Sequence, residues 1–191
     1  FACAFKINYP WQITSIDSWQ GGNEHKKSQV NMSKIENSFD EITELCKQIA
    51  PETSYFEKLK ADSLRGLAYL INDNRSLHYD LILIDAGHQA KNALTDITTA
   101  WRLLKPGGVM IIDDYIWSPV NVNPKELLLE SPKLGIDSFL NCFSDELTII
   151  GNFPALQIYI AKTPPSYKNF HVFSLKEVDI PDELKLITRI I

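Results

Sequence analysis

Cysteine is scarce in this chain: Cys3, Cys46 and Cys142 lie far apart, with no C-x-x-C pair among them. That spacing argues against a disulfide framework or a cysteine-built zinc site and fits a reducing, cytoplasmic setting. No apolar run approaches the roughly 20 residues that a membrane-spanning helix needs, and no basic-then-apolar leader opens the chain. Positive charge is also in short supply. With 19 Lys and Arg against 24 Asp and Glu the net charge is −5, which argues against nucleic acid or an anionic membrane as the main partner. The nearest basic patch, His25-Lys26-Lys27, reads as a solvated loop. There is no internal repeat and no low-complexity tract.

What is present is the composition of an ordinary globular protein, 45% hydrophobic over 191 residues, enough for one full domain and too short for two comfortable ones. Strand and helix patterns alternate along it. Gln12–Asp17 is a short strand ending on a carboxylate, and the polar stretch Ser18–Val30, with Gly21-Gly22, reads as a loop. Ser33-x-x-Glu36 has the form of a capping box, and Ile35, Phe39, Ile42, Leu45 and Ile49 then share one helical face until Pro51. Tyr55–Leu59 is a weaker strand, and Asp62-Ser63 can cap a helix facing inward through Leu64, Leu67, Ala68 and Ile71. A second helix faces inward through Ala93, Leu94, Ile97, Trp101 and Leu104, and a third through Ile136, Phe139, Leu140 and Phe143. Cys46 and Cys142 fall inside such helical patterns and are expected as small core residues. Leu147–Ile150 and Leu156–Ala161, joined by Gly151-Asn152-Phe153-Pro154, suit an antiparallel hairpin. The alternation predicts an α/β fold: a doubly wound, mostly parallel sheet with an antiparallel last strand.

The richest stretch is Tyr79–Asp114, which reads YDLILIDAGH, a helical segment, LLKPGG and VMIIDDY. Two apolar runs of strand length stop at carboxylates, Asp85 after the first and Asp113-Asp114 after the second. A strand–helix–strand unit normally makes a parallel crossover, so both acidic ends should meet at one edge of the sheet. In open α/β sheets that edge is where ligands bind. Carboxylates gathered there repel: at about 4 Å and an effective dielectric of about 20, each close pair costs roughly 4 kcal/mol. A bound cation is the simplest relief, and all-oxygen ligation suits a hard ion such as Mg²⁺, with Mn²⁺ or Ca²⁺ as substitutes. Taken singly, each Asp also has a plainer reading as a cap of a helix or turn.

The ordered set IDSW, ADS, IDAGH, KPGG and IDDY resembles class I S-adenosylmethionine-dependent methyltransferases over roughly Gln12–Lys162. The closer likeness is to their metal-dependent O-methyltransferase branch, with its catechol-type and macrolide-sugar members. The resemblance implies S-adenosyl-L-methionine as cofactor, held by Asp17, Ser18 and Trp19 toward the ribose and adenosine and by Asp62 and Ser63 at the adenine edge. A solvated Asp17, a core Trp19 and an Asp62 that is only a helix cap are the plainer alternatives. It further implies a metal, Mg²⁺ or another hard divalent cation, on Asp85, Asp113 and Asp114. His88 stands where catechol-type relatives carry a lysine that deprotonates the acceptor hydroxyl. An imidazole, mostly neutral at pH 7, can serve there as the base, as a hydrogen-bond partner of the acids, or as a further ligand. His25, His78 and His171 lack comparable context.

One family element is not found in the sequence. A first strand and its glycine-rich loop should precede Gln12, but Phe1–Tyr9 reads as the end of the helix that follows that loop. Either those elements lie upstream or the domain is degenerate, and Gly21-Gly22 does not substitute. The expectation is thus a methyltransferase domain over residues 1–163, N-terminally incomplete, with a C-terminal extension over 164–191. It would methylate a hydroxyl on a small molecule or sugar, as a monomer or a homo-oligomer. The alternative is a catalytically inactive methyltransferase-like domain acting in binding or assembly. A signalling receiver domain also pairs acids at strand ends, but there the acidic pair precedes the single Asp, whereas Asp113-Asp114 follows Asp85.

Overall fold

The computed structural model describes residues 10–22, 25–26, 28–120, 123–150 and 156–164, and among them, besides a helical His25–Lys26, are six strands and five helices. The Phe1–Tyr9 helix end, the Gly151–Pro154 link, the tail from Pro165, Cys3, Lys27 and His171 lie outside the described residues, as do the side chains of Pro124 and Lys125. The chain divides into two compact units, Phe1–Gly66 and Leu67–Ile191.

In the first unit β1 (Gln12–Asp17) pairs in parallel with β2 (Tyr55–Lys60), in register from Gln12↔Tyr55 to Asp17↔Lys60. Between them runs α1 (Met32–Ile49). Its N-cap is Asn31, whose side chain accepts from the Lys34 N–H at 3.1 Å, so the expected Ser33–Glu36 capping box does not form. Ser33 sits inside the first turn, and the Glu36 carboxylate turns instead to Lys58 and Lys60 on β2, at 2.9 and 2.8 Å. Phe39 packs tilted between Trp19 and Phe56, with ring centroids 4.7 and 5.7 Å away. The other members of the apolar stripe, Ile35, Ile42, Leu45 and Ile49, are exposed, while Cys46 is buried as expected. A helical period identifies a face; only the packing says how much of that face is covered.

α2 (Ser63–Asn72) begins in the first unit and ends in the second, where Leu67 and Leu70 are buried. The second unit continues with β3 (Tyr79–Ile84), α3 (Ala90–Trp101), β4 (Leu104–Ile112), α4 (Pro124–Glu130), α5 (Lys133–Cys142), β5 (Leu147–Ile149) and β6 (Ile158–Lys162). Its sheet has the order β3-β4-β6-β5. β3 and β4 are parallel, and β6 runs antiparallel to both β4 and β5. The α/β class, the parallel crossover and the antiparallel end are as expected; the described strands form two hydrogen-bonded sheets rather than one.

The KPGG run belongs to the start of β4 as an irregularity: Tyr79 pairs with Leu104, but Leu81 already pairs with Val109. The surplus residues bulge out, and Gly107 takes φ +82°, a conformation that costs a residue with a side chain about 1 kcal/mol or more. The core lies where α3, α5 and the sheet meet: Ile97, Ala100, Leu104, Met110, Ile136, Phe139 and Ile160 are completely buried. Gly135 permits the close approach of α5 to α3, since a side chain there would collide with the Ala90 carbonyl oxygen. Trp101 meets Phe139 edge-on at 5.4 Å, and its indole N–H donates to Glu146 Oε2 at 3.2 Å. Lys162 of β6 donates to the Trp101 and Leu104 carbonyls, closing the end of α3. Several inward-facing expectations fail: on α2 Leu64 and Ala68 are exposed, and Leu104, expected on the helix, opens β4 instead. Leu94 is 37% exposed, and Cys142, in the last turn of α5, is exposed rather than core.

Candidate active site

Parallel pairing carries Asp85 and Asp113 to the same edge of the second unit. The ladder runs through Ile84↔Ile112, and the Asp113 N–H continues it by donating to the Ile84 carbonyl at 2.9 Å. Asp85, His88, Asp113 and Asp114 line one shallow cleft. Ala93 and Asp96 of α3 and Ile136 of α5 complete its floor and walls. Three carboxylates and one imidazole predicted from sequence therefore share one cleft, and of these His88 and Asp114 are in contact.

Their hydrogen bonds divide the labour. Asp113 uses both oxygens: Oδ1 accepts from the Asp114 N–H at 2.8 Å and Oδ2 from Gln157 Nε2 at 3.1 Å. Gln157 is itself steadied by the Tyr159 hydroxyl, which donates to its Oε1 at 2.6 Å. Asp114 takes a left-handed φ of +60°, a strain of roughly 1 kcal/mol that Asp tolerates better than most residues. That conformation aims its carboxylate back toward β3, where Oδ2 lies 2.9 Å from His88 Nε2. The imidazole face rests on the Trp117 ring, with centroids 4.0 Å apart. A carboxylate only accepts, so in the neutral imidazole Nε2 carries the hydrogen and Nδ1 keeps the lone pair. The pair can thus orient a base.

The all-oxygen chemistry of Asp85, Asp113 and Asp114 fits a hard divalent cation. Their conformation does not make a coordinating group: among the described residues no three His, Cys, Asp or Glu side chains come together closely enough to hold a metal ion.

The residues expected to hold a nucleotide lie in the first unit, at the carboxyl ends of β1 and β2. Asp17 ends β1 and its Oδ1 accepts from the Trp19 N–H at 2.6 Å, closing a tight turn in which Trp19 has φ +57°. The Ser18 hydroxyl accepts from the Gln20 N–H at 3.3 Å. The Trp19 ring packs on Phe39 and lies under the Lys58 ammonium, 4.8 Å from its centroid, while its buried indole N–H has no partner among the described residues. Asp62 follows β2 and accepts from the Arg65 N–H at 3.0 Å, so it does cap α2; Ser63 is that helix's first residue. The Ala61 N–H donates to the Asp17 carbonyl at 3.0 Å, which keeps the two strand ends side by side. Asp17 and Asp62 are both open to solvent. Of the remaining histidines, His25 Nδ1 accepts from the Gly22 N–H and His78 meets Tyr79 edge-on.

Sequence reading missed Asp96, Gln157 and Trp117. Asp96 is 3% exposed on α3, one position before the buried Ile97 and three after Ala93. An acid on the buried arc of an amphipathic helix was the available signal. Gln157 had none, because its partner is 44 residues away.

In α/β domains the edge where parallel strands end is where ligands bind, and the carboxylate-lined cleft with its His–Asp pair lies at that edge. The chain belongs to a family of methyltransferase domains, whose model matches residues 1–115. No curated protein sequence matches it. Among solved structures it is similar to a protein from Corynebacterium glutamicum, at 15% identity and a TM-score of 0.48, over 80% of this chain and 61% of that one. It is also similar to an O-methyltransferase from Bacillus cereus solved with SAH, at 17% identity and a TM-score of 0.45, over 79% of this chain and 63% of that one. A third is the MycE methyltransferase of the mycinamycin biosynthetic pathway, solved with Mg, SAH and mycinamycin VI. There the identity is 14% and the TM-score 0.43, over 74% of this chain and 39% of that one. The chain thus spans less than two thirds of the length of each.

Proposed function

We propose that the protein is an S-adenosylmethionine-dependent O-methyltransferase acting on a hydroxyl of a small molecule or sugar, assisted by Mg²⁺ or a similar cation. The observation that carries this reading is the His88–Asp114 pair at 2.9 Å in a cleft shared with Asp85 and Asp113, in a chain of methyltransferase lineage. Residues 1–163 would form the catalytic domain and 164–191 an extension to it.

Asp17, Ser18, Trp19, Asp62 and Ser63 would bind the nucleoside part of the methyl donor, and Asp85, Asp113 and Asp114 the metal. When bound, the donor supplies an electrophilic methyl group on sulfur and the cation makes a neighbouring hydroxyl more acidic. The protein's own contribution is proton removal and aim. Asp114 holds the His88 Nε2 hydrogen, so Nδ1 can take the acceptor's hydroxyl proton. In-line transfer of the methyl group to the freed oxygen, with the carbon–sulfur electron pair leaving on sulfur, would be the chemistry the bound donor supplies. Trp117 against one imidazole face and the apolar Ile84, Ala93, Ile112 and Ile136 restrict water around the base.

The test is transfer of a labelled methyl group from S-adenosylmethionine to a panel of sugar and catechol hydroxyls, with and without chelator. Transfer that needs both Mg²⁺ and an ionisable hydroxyl supports the reading. Full activity in chelator removes the metal, and binding of the donor without transfer to any hydroxyl favours the inactive, binding-domain alternative.

A further inference from the structure

We propose that Tyr115, held by Lys133 and Asp137, is a positioning residue: it locks the turn after β4 so that Asp114 and Trp117 fix the His88 imidazole between them. The proposal builds on the reading of His88 as the acceptor's base.

Lys133 opens α5 and is 7% exposed, an unusual place for an ammonium. Its Nζ pairs with Asp137 Oδ2, one helical turn on, and donates to the Tyr115 hydroxyl at 2.8 Å. The same Nζ lies 4.6 Å from the centroid of the Tyr115 ring. The Tyr115 hydroxyl in turn donates to Asp137 Oδ1 at 2.8 Å. The three groups close a ring of hydrogen bonds in which each satisfies the other two. Burial works against the Lys133 charge, yet Asp137 and Tyr115 outweigh it and its pKa is raised. Burial first, and then Asp137, raises the Tyr115 pKa as well. The closed ring of hydrogen bonds supports a geometric role for the cluster.

What the cluster holds is the segment that bears the site. Tyr115 directly follows Asp114, whose backbone is left-handed, and its N–H donates to the Leu156 carbonyl at 2.9 Å. The Trp117 N–H donates to the Asp114 carbonyl at 2.9 Å, folding the indole back over His88. Tyr115 is thus pinned at its backbone by the β6 side and at its hydroxyl by α5, with the strained Asp114 on one flank and Trp117 on the other. An apolar trio of similar volume would stabilise a core at least as well as a buried ion pair. A charged clamp adds direction, since it accepts one orientation of the tyrosine hydroxyl.

The experiment reads the His88 ring protons by NMR in the whole chain, assigned among the four histidines through His88→Gln. In the parent protein the Trp117 ring, 4.0 Å away, should shift them upfield. Tyr115→Phe and Asp137→Asn should each move them downfield while the thermal midpoint stays in the folded range. With a methyl acceptor in hand, kcat should fall roughly ten- to a hundred-fold with KM little changed, as misplacement of a base does. His88 signals unmoved in both folded variants overturn the proposal. So does failure of both variants to fold, because the cluster is then a folding element only. If the parent protein transfers no methyl group, the catalytic reading fails while the NMR comparison still decides the positioning.

Discussion

The two units reach stability by different means, and the candidate residues they carry inherit the difference. In the first, β1 and β2 are joined by one ladder, an aromatic trio of Trp19, Phe39 and Phe56, and the Glu36–Lys58–Lys60 ion pairs. Most of the apolar stripe of α1 is exposed. In the second, α3, α5 and the sheet close over a core containing Ile97, Trp101, Met110, Ile136, Phe139 and Ile160. Asp113 extends directly from β4, whose Leu104, Met110 and Ile112 belong to that core, and Asp85 follows β3, which its ladder holds to β4 although Leu81 and Leu83 are exposed. Asp17 and Asp62 extend from strands held mainly by hydrogen bonds and surface charge, which salt and a bound ligand can move. A base needs fixed geometry, and a nucleotide cradle can tighten on binding.

The largest effect that would test this contrast falls on the second unit. His88→Ala is expected to lower methyl transfer by roughly 10²–10⁴-fold if the imidazole is the general base. Part of the loss should return at higher pH, where the acceptor ionises unaided; a flat pH–rate comparison of the two proteins would refute the role. Next comes the core itself. Phe139→Ala should cost about 3–5 kcal/mol in a denaturant melt, whereas Ile42→Ala on α1, where the side chain is 54% exposed, should stay within about 0.5 kcal/mol. Equal losses would mean that the stripe on α1 is covered in solution and that the two units are less different than they look.

A smaller effect is expected at the proposed nucleotide site. Asp17→Ala should weaken S-adenosylmethionine by about 1.5–3 kcal/mol in calorimetry, the worth of hydrogen bonds to a charged group. Undiminished affinity would take Asp17 out of the site. The smallest effect separates the units by pH. Lys60 and then Lys58 hold the Glu36 pKa below its ordinary value of 4.5, so this contribution to the first unit is present above that value and is lost as pH falls through the folded pKa. Lys133 has its pKa raised above 10.5, so its contribution to the second unit is present below that value and is lost as pH rises through the folded pKa. Hydrogen exchange followed at both extremes should show the first unit loosening in acid and the second in alkali. Salt should weaken only the former strongly, because those charges are the more exposed.

Much of this was legible in the sequence because it depends on local pattern. β1 begins and ends at the expected residues, β3 stops one residue before Asp85, and the regular part of β4 starts at Val109. The strand–helix–strand order by itself required Asp85 and Asp113 to share an edge, since right-handed parallel crossovers leave no other arrangement. The local choices that failed are those with competing solutions of similar energy. Asn31 outcompeted Ser33 as the cap of α1 because Glu36 had stronger partners in Lys58 and Lys60. Cys142 lay on a pattern that continued past the end of the packed surface.

Sequence alone thus determined the α/β class, the strand ends and the gathering of acids, because chain direction and hydrophobic period decide those before any two distant residues meet. Only the tertiary structure decided what each acid does. Asp114 turns to His88, Asp113 to Gln157, and Tyr115 to Lys133 and Asp137 through contacts between residues 18 to 44 positions apart. Hydrogen bonds of this kind depend on angles and on distances of a few tenths of an ångström, and a one-dimensional pattern carries neither.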